Sequence, residues 1–264
     1  MKFGEVTLDA AAGTILAHSV RVTDGVLRKG RRLNEEDVTR MRQAGLNAVT
    51  VAELEDGDLD ENAAALRLAE ALDAPGLSAS GGRTGRANLR ADAAGVALID
   101  AETIHRMNAV DEALTISTVR PFDAVAAGQV TATVKLITFG LPASTVDACA
   151  AIARAENPPV RVAPYDTSLK IGLVQTVLPG LKESIIAKAT SATAARLADM
   201  GLAIDTERHC AHSTAGVTEA LAEMTTAKCD IVLVLGASAI VDRRDIVPAA
   251  ITAAGGQIDH LGLP

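Results

Sequence analysis

The sequence predicts an α/β chain: a parallel, doubly wound sheet in the C-terminal half, preceded by a mixed α+β N-terminal domain. Three observations predict it. From residue 169 onward strand-like and helix-like segments alternate in a βαβαβα rhythm, which calls for right-handed crossovers and parallel pairing. Ile231–Leu235 is an uninterrupted apolar run of strand length, as expected of a parallel strand covered on both faces. Aromatic residues make up only 2% of the chain and Trp is absent, so cores must be built from Ala, Val, Leu and Ile, which suit helices packed on parallel strands. With 48% hydrophobic residues, 264 residues suffice for two cores. The three prolines of ENPPVRVAP (156–164) mark the boundary between domains 1–166 and 167–264.

Each element has its local reason. Asn34 is a candidate N-cap with acidic residues in the first turn and Gly45 as a stop, so a helix is expected there, followed by a strand up to Val51. Residues 61–72 repeat the helical period. The run 74–95, rich in Pro, Gly, Ser and Arg, reads as a long connection. A helix is expected at 104–110, strands at 114–119 and 130–139 from their β-branched residues, and a helix again at 143–155. In the second half, strands are expected at 169–176, 203–207, 229–235 and 257–259. Helices are expected at 181–200, closed by Gly201, at 215–225, and at 246–254, closed by Gly255 and Gly256.

The formal net charge of −8 and the scarcity of aromatic platforms argue against nucleic acid or an anionic membrane as partner, and favour a small molecule. No apolar run approaches the roughly 20 residues of a membrane span, and the N-terminus lacks the regions of a secretory signal, so a cytoplasmic protein is expected. Cys149, Cys210 and Cys229 are far apart in sequence, which suits reduced thiols that fill core space.

The chemistry is expected at two turns. Gly236, Ala237 and Ser238 follow the apolar strand with small side chains, so their N–H groups can approach a phosphate or carboxylate. Thr176, Leu178, Pro179 and Gly180 form the corresponding turn after the first parallel strand. Asp242 and Asp245 are candidates to accept paired N–H bonds from a ligand edge, and of the adjacent Arg243 and Arg244 only one can face a crevice. Each has an ordinary reading beside the functional one. Asp245 would cap the helix that holds Pro248, Asp242 and Arg243 would form a surface ion pair, Ser238 would bond its own backbone, and 176–180 would be a plain βα loop. His209, Cys210 and His212 match no usual zinc spacing, and no metal ligand set is assigned. Arg83, Arg86 and Arg90 read either as a phosphate clamp or as a solvated basic loop. Lys170 and Lys188 read either as activated lysines or as snorkelling side chains, the ordinary case. No nucleophilic triad follows from the spacing, so catalytic residues are not assigned.

Residues 169–264 resemble the molybdopterin-binding domain of molybdenum-cofactor biosynthesis proteins. The resemblance rests on LKIGLVQTVLPGLKESIIAKATSATAARLADMGL, which has that family's order of strand, turn and long helix, on Gly236-Ala237-Ser238 followed by Asp242 and Asp245, and on RDIVPAA. The segment AAGTILAHSVRVTDGVLRKGRRLNEEDVTRMRQAGLNAVTV is similar to the opening of the molybdenum-insertase branch, and GQVTATVKLITF to a segment within it. Two departures stand out. The acidic residues that usually follow the first strand are replaced by Gln175, Thr176, Val177, Leu178 and Pro179, and one glycine of the later turn is Ala237. The resemblance implies molybdopterin as ligand, with Mg²⁺ a candidate companion, a homo-oligomer, and a fused or separate nucleotidyltransferase as partner. It implies binding or transfer of the cofactor more firmly than catalysis. The alternatives are a scaffold or regulatory protein that keeps the fold without the ligand, and an enzyme for another phosphorylated small molecule. The sequence stops at HLGLP just after an expected strand begins, so a truncation is expected, with the rest of the site in its continuation.

Overall fold

A computed structural model of the chain describes residues 1–155 and 157–262. Glu156, at the start of the expected boundary, and the final residues 263 and 264 lie outside the described residues. The chain divides into two compact units, Met1–Pro164 and Tyr165–Pro264.

The first unit opens with β1 (Lys2–Thr7), β2 (Ile15–Leu16), the small hairpin β3 (Val20–Val22) and β4 (Gly25–Leu27), helix α1 (Glu35–Gln43) and β5 (Ala48–Glu53). Strand β5 lies between β1 and β2, antiparallel to both. Helix α1 starts where a capping box fixes it: the Asn34 side chain accepts the Asp37 N–H at 2.8 Å, and the Asp37 carboxylate accepts the Asn34 N–H at 3.3 Å. It stops at Gly45, whose φ of +80° suits glycine. Val38 and Met41 of α1 pack with Leu16, Leu33 and Val51 into one core.

The rest of unit 1 runs through β6 (Asp58–Asp60), α2 (Glu61–Ala71), β7 (Leu77–Arg83), β8 (Arg86–Ala91), β9 (Gly95–Ile99), α3 (Ala101–Asn108), β10 (Leu114–Thr118), β11 (Ala124–Val125), β12 (Val130–Leu136), β13 (Gly140–Pro142), α4 (Ala143–Arg154) and β14 (Val160–Pro164). One antiparallel sheet has the order β10-β12-β8-β7, a second the order β11-β9-β14, and β13 pairs with β6. Their larger core gathers Leu68 and Leu72 of α2 and its end, Leu89, Met107, Val134 and Cys149. The long connection expected over 74–95 is in fact the β7–β8 hairpin. Its signal is the alternation of buried Ala87, Leu89 and Ala91 with Arg86, Asn88 and Arg90 on the other face, masked in the sequence by the Gly and Ser residues of β7.

Unit 2 comprises β15 (Ile171–Val177), α5 (Glu183–Ala198), β16 (Ile204–Ala211), α6 (Thr214–Thr226), β17 (Ile231–Leu235) and α7 (Ile246–Ala253). Strand β15 is central and pairs in parallel with β16 on one side and β17 on the other. Gln175 lies opposite His209 and Leu235 in register.

The expected fold class is corrected by this topology. Among the described residues the sheets are mostly antiparallel, and the one parallel sheet has three strands, so the chain is a mixed structure of small sheets and not a parallel doubly wound one. The physical reason lies in burial. Only β15 is buried along nearly its whole length; β16 and β17 keep exposed positions, whereas a doubly wound sheet covers its strands on both faces. The strand expected at 257–259 is not formed; those residues have no regular structure. Among the described residues, no helix is long and apolar enough to cross a membrane.

Candidate functional site

Because β15 and β17 are parallel neighbours, the turns that follow them emerge at the same edge of the sheet. They are joined there. The Ala237 N–H donates to the Thr176 hydroxyl at 2.7 Å, and His212, just past the end of β16, lies with Nδ1 2.8 Å from that hydroxyl and Nε2 3.0 Å from the Ser238 hydroxyl. Thr176 is buried, so its own proton needs an acceptor, and His212 Nδ1 is the one in reach. That places the proton of the neutral imidazole on Nε2, which donates to Ser238 Oγ. Ser238 is exposed, and its O–H remains free to donate outward. The chain of bonds thus delivers a donor to the solvent side of the turn without making Ser238 a nucleophile.

The first turn has a sequence reason. Leu181 N–H donates to the Leu178 carbonyl at 3.1 Å, with Pro179 and Gly180 between them and Gly180 at φ +84°. Proline supplies the first central position of a type II turn, and glycine the second, left-handed one. Leu178, Pro179 and Gly180 are exposed. The chain then enters α5 at Lys182, whose side chain makes no capping bond. The first N–H groups of a helix have no partner within it, and an uncapped start beside a lysine favours an anion.

The second turn holds its acids differently from expectation. Asp245 stands at the N-cap position of α7 but does not cap the helix; its Oδ2 accepts the N–H groups of Val241 at 2.6 Å and Asp242 at 2.9 Å. Asp242 Oδ1 accepts from Arg244 N and Nε, both at 2.8 Å, and the Arg244 guanidinium holds that carboxyl below its ordinary value. The surface ion pair is therefore Asp242 with Arg244, while Arg243 donates from Nη1 to the Ile258 carbonyl at 3.1 Å. Thr176, Ala237 and Ser238 are brought together directly; Asp242, Arg243 and Asp245 make their bonds within 241–245 and to Ile258. Ala237's N–H is committed to Thr176, which leaves the turn fewer free amides than its composition suggests.

A second polar group occupies the side of the sheet toward α5. Glu207 Oε1 accepts from Thr190 at 2.7 Å, from Gln175 Nε2 at 3.0 Å and lies 2.8 Å from His209 Nε2. The Thr190 hydroxyl, followed by His209 and Gln175, holds the Glu207 carboxyl below its ordinary value. Thr190, Glu207 and His209 border a groove of about 360 Å³ along α5. Neither this group nor the role of His212 was assigned from the sequence. The signal available was period two: Glu207 and His209 share one face of β16, and Cys210 turns to the opposite core with Val174, Ala220 and Met224. His209 therefore points away from Cys210, and His212 is engaged by Thr176 and Ser238. Among the described residues, no group of three or more His, Cys, Asp or Glu side chains gathers in a metal-binding arrangement.

A family model described as "Domain of unknown function (DUF8806)" matches residues 5–53, the segment from β1 to β5. No curated protein matches the chain.

Proposed function

We propose that unit 2 binds molybdopterin or a related phosphorylated pterin and serves molybdenum-cofactor biosynthesis or transfer. The observation that carries this reading is the union of the two turns through Thr176, Ala237, His212 and Ser238 at the carboxyl ends of parallel strands, the edge at which open parallel sheets take their ligands. The residues present suit a phosphate monoester: the uncapped start of α5, Lys182 beside it, and the outward O–H of Ser238 are all donors or positive. The pterin's amino edge needs a carboxylate oxygen. Asp242 and Asp245 each spend one oxygen on the loop and keep the other. Those two oxygens are also where a Mg²⁺ companion would find ligands.

In this reading the chain is a cytoplasmic binding module whose nucleotidyltransferase partner is fused or separate. It works as a homo-oligomer, supported by the largely exposed, alanine-rich face of α5; light scattering tests that assembly. Titration of the purified protein with molybdopterin, or with its nucleotide form, tests the ligand. Saturable binding that weakens about tenfold in Ser238→Asp, where a carboxylate replaces the donor, is the expected result. Absence of saturable binding, or binding indifferent to Ser238→Asp and to joint replacement of Asp242 and Asp245 by Asn, overturns the reading.

A further inference from the structure

We propose that unit 1 carries an anion site of its own, a cavity that takes a small phosphorylated molecule independently of unit 2. The cavity measures about 440 Å³, within the range of small-molecule sites. Lys29, Arg86 and Lys135 line it together with Glu61, Thr84 and Phe139.

The arrangement of those cations is unfavourable by itself. Lys135 on β12 is the register partner of Arg86 on β8, and Arg86 is in turn the partner of Arg83 on β7. Partners across an antiparallel ladder hold their side chains on one face about 5 Å apart, and like charges so placed destabilise the sheet. Three cations in a row cross three strands here. Among the described residues, none of Lys29, Arg83, Arg86 and Lys135 takes part in an ion pair. A local rule broken without a compensating partner points to a function, and a bound polyanion is the partner that would compensate.

The backbone around the cavity is built with the same bias. Thr84 adopts φ +51° at the hairpin tip, a left-handed conformation that a β-branched residue rarely takes. Gly85 follows at φ +65°, its N–H held by Asn62 Oδ1 at 3.0 Å, and a Cβ there would meet Leu136 O at 3.1 Å and Glu61 at 3.2 Å. This tight closure sets Arg86 beside the start of α2. Lys29 is kept over the cavity by the Phe139 ring, 5.2 Å from its centroid, and Phe3 stacks on the same ring. Glu61 is the acid in the lining. Burial raises its carboxyl above the ordinary value, against the opposing pull of Lys29, and three cations outnumber it in the lining. The cavity favours a small phosphorylated molecule over a nucleic acid, because the chain's net charge is −8 and it offers few aromatic platforms.

Calorimetric titration of the full chain with inorganic pyrophosphate tests the site. Saturable binding is expected, weakened about tenfold by Lys135→Gln and tightened by Glu61→Gln, with the Lys135-dependent part of the binding persisting when Thr176→Val or Ser238→Asp disrupts the turns of unit 2. Lys135→Gln should also raise the melting temperature of the free protein, since it removes a like-charge pair. The proposal is overturned by no saturable binding, by binding that ignores Lys135→Gln or is lost with the unit 2 variants, by a lowered melting temperature of free Lys135→Gln, or by an RNA oligonucleotide that displaces pyrophosphate at lower concentration.

Discussion

One hydroxyl, that of Thr176, connects three segments of unit 2 that are far apart in sequence: its own strand, the loop after β16 and the turn after β17. Thr176→Val keeps the shape of the side chain and removes both bonds, leaving the Ala237 N–H and His212 Nδ1 without it. A loss of about 1–3 kcal/mol is expected from urea unfolding, with Thr176→Ser close to the parent. Cys149 makes a different case. Burial pushes its thiol up to about 11, so at pH 8 it holds almost no thiolate. Alkylation followed by mass spectrometry should label it only after unfolding, while partly exposed Cys210 and Cys229 react first. At this scale, legibility in the sequence follows distance along the chain. The Asn34 cap was readable because its acceptor and donor lie three residues apart. The role of His212 was not, because its partners lie 36 and 26 residues away.

Among whole elements, helices and strands with strong local signals were read close to their observed bounds. The elements missed were those whose pattern depends on neighbours. The β7–β8 hairpin looked like a linker because Gly81, Gly82 and Gly85 read as breakers; two of the three accommodate close approach, since a Cβ on Gly81 would meet Arg86 O at 2.9 Å and one on Gly85 Leu136 O at 3.1 Å. Gly95 on β9 states the same rule more sharply. A Cβ there would run into the Ala163 carbonyl of β14, backbone against backbone. Gly95→Ala should therefore cost about 1–3 kcal/mol, read as a lower denaturant midpoint for unit 1. The α5 side of the parallel sheet gives a pH signature. Glu207 has an ordinary value of 4.5 and is held lower in the fold, so its contribution is complete above that value and is lost as pH falls through the lowered one. In acid titrations followed by circular dichroism, Glu207→Gln should flatten the limb below about pH 4.5 and lower the stability at neutral pH, where the carboxylate's contribution is complete.

At the scale of the molecule, the expected fold class failed for a reason visible in the strands. Alternation of apolar and polar residues, as in β8, makes a sheet with one wet face and antiparallel hairpins; β15 packs as a strand buried on both sides, whereas β17, which reads as one, keeps both its ends exposed. The βαβ rhythm of the second half was legible and gives one parallel sheet, but a rhythm does not state how many strands will join it. The same contrast predicts how the two units differ in stability. Unit 1 closes a continuous core of Leu, Ala, Val and Met from three helices and several sheets. Unit 2 centres on Val174, Ala220 and Met224, exposes Ile231 and Leu235 on β17, and buries of α5 only Leu197. Apolar burial is the main stabilising term, at about 25 cal/mol per Å², so the smaller core gives the weaker unit. Native-state hydrogen exchange should find the slowest amides in β8 and β12, with those of β16 and β17 exchanging through a lower-energy opening. Equal protection in the two units, or slower exchange in β17 than in β12, would show that the core of unit 2 is larger than its buried side chains indicate.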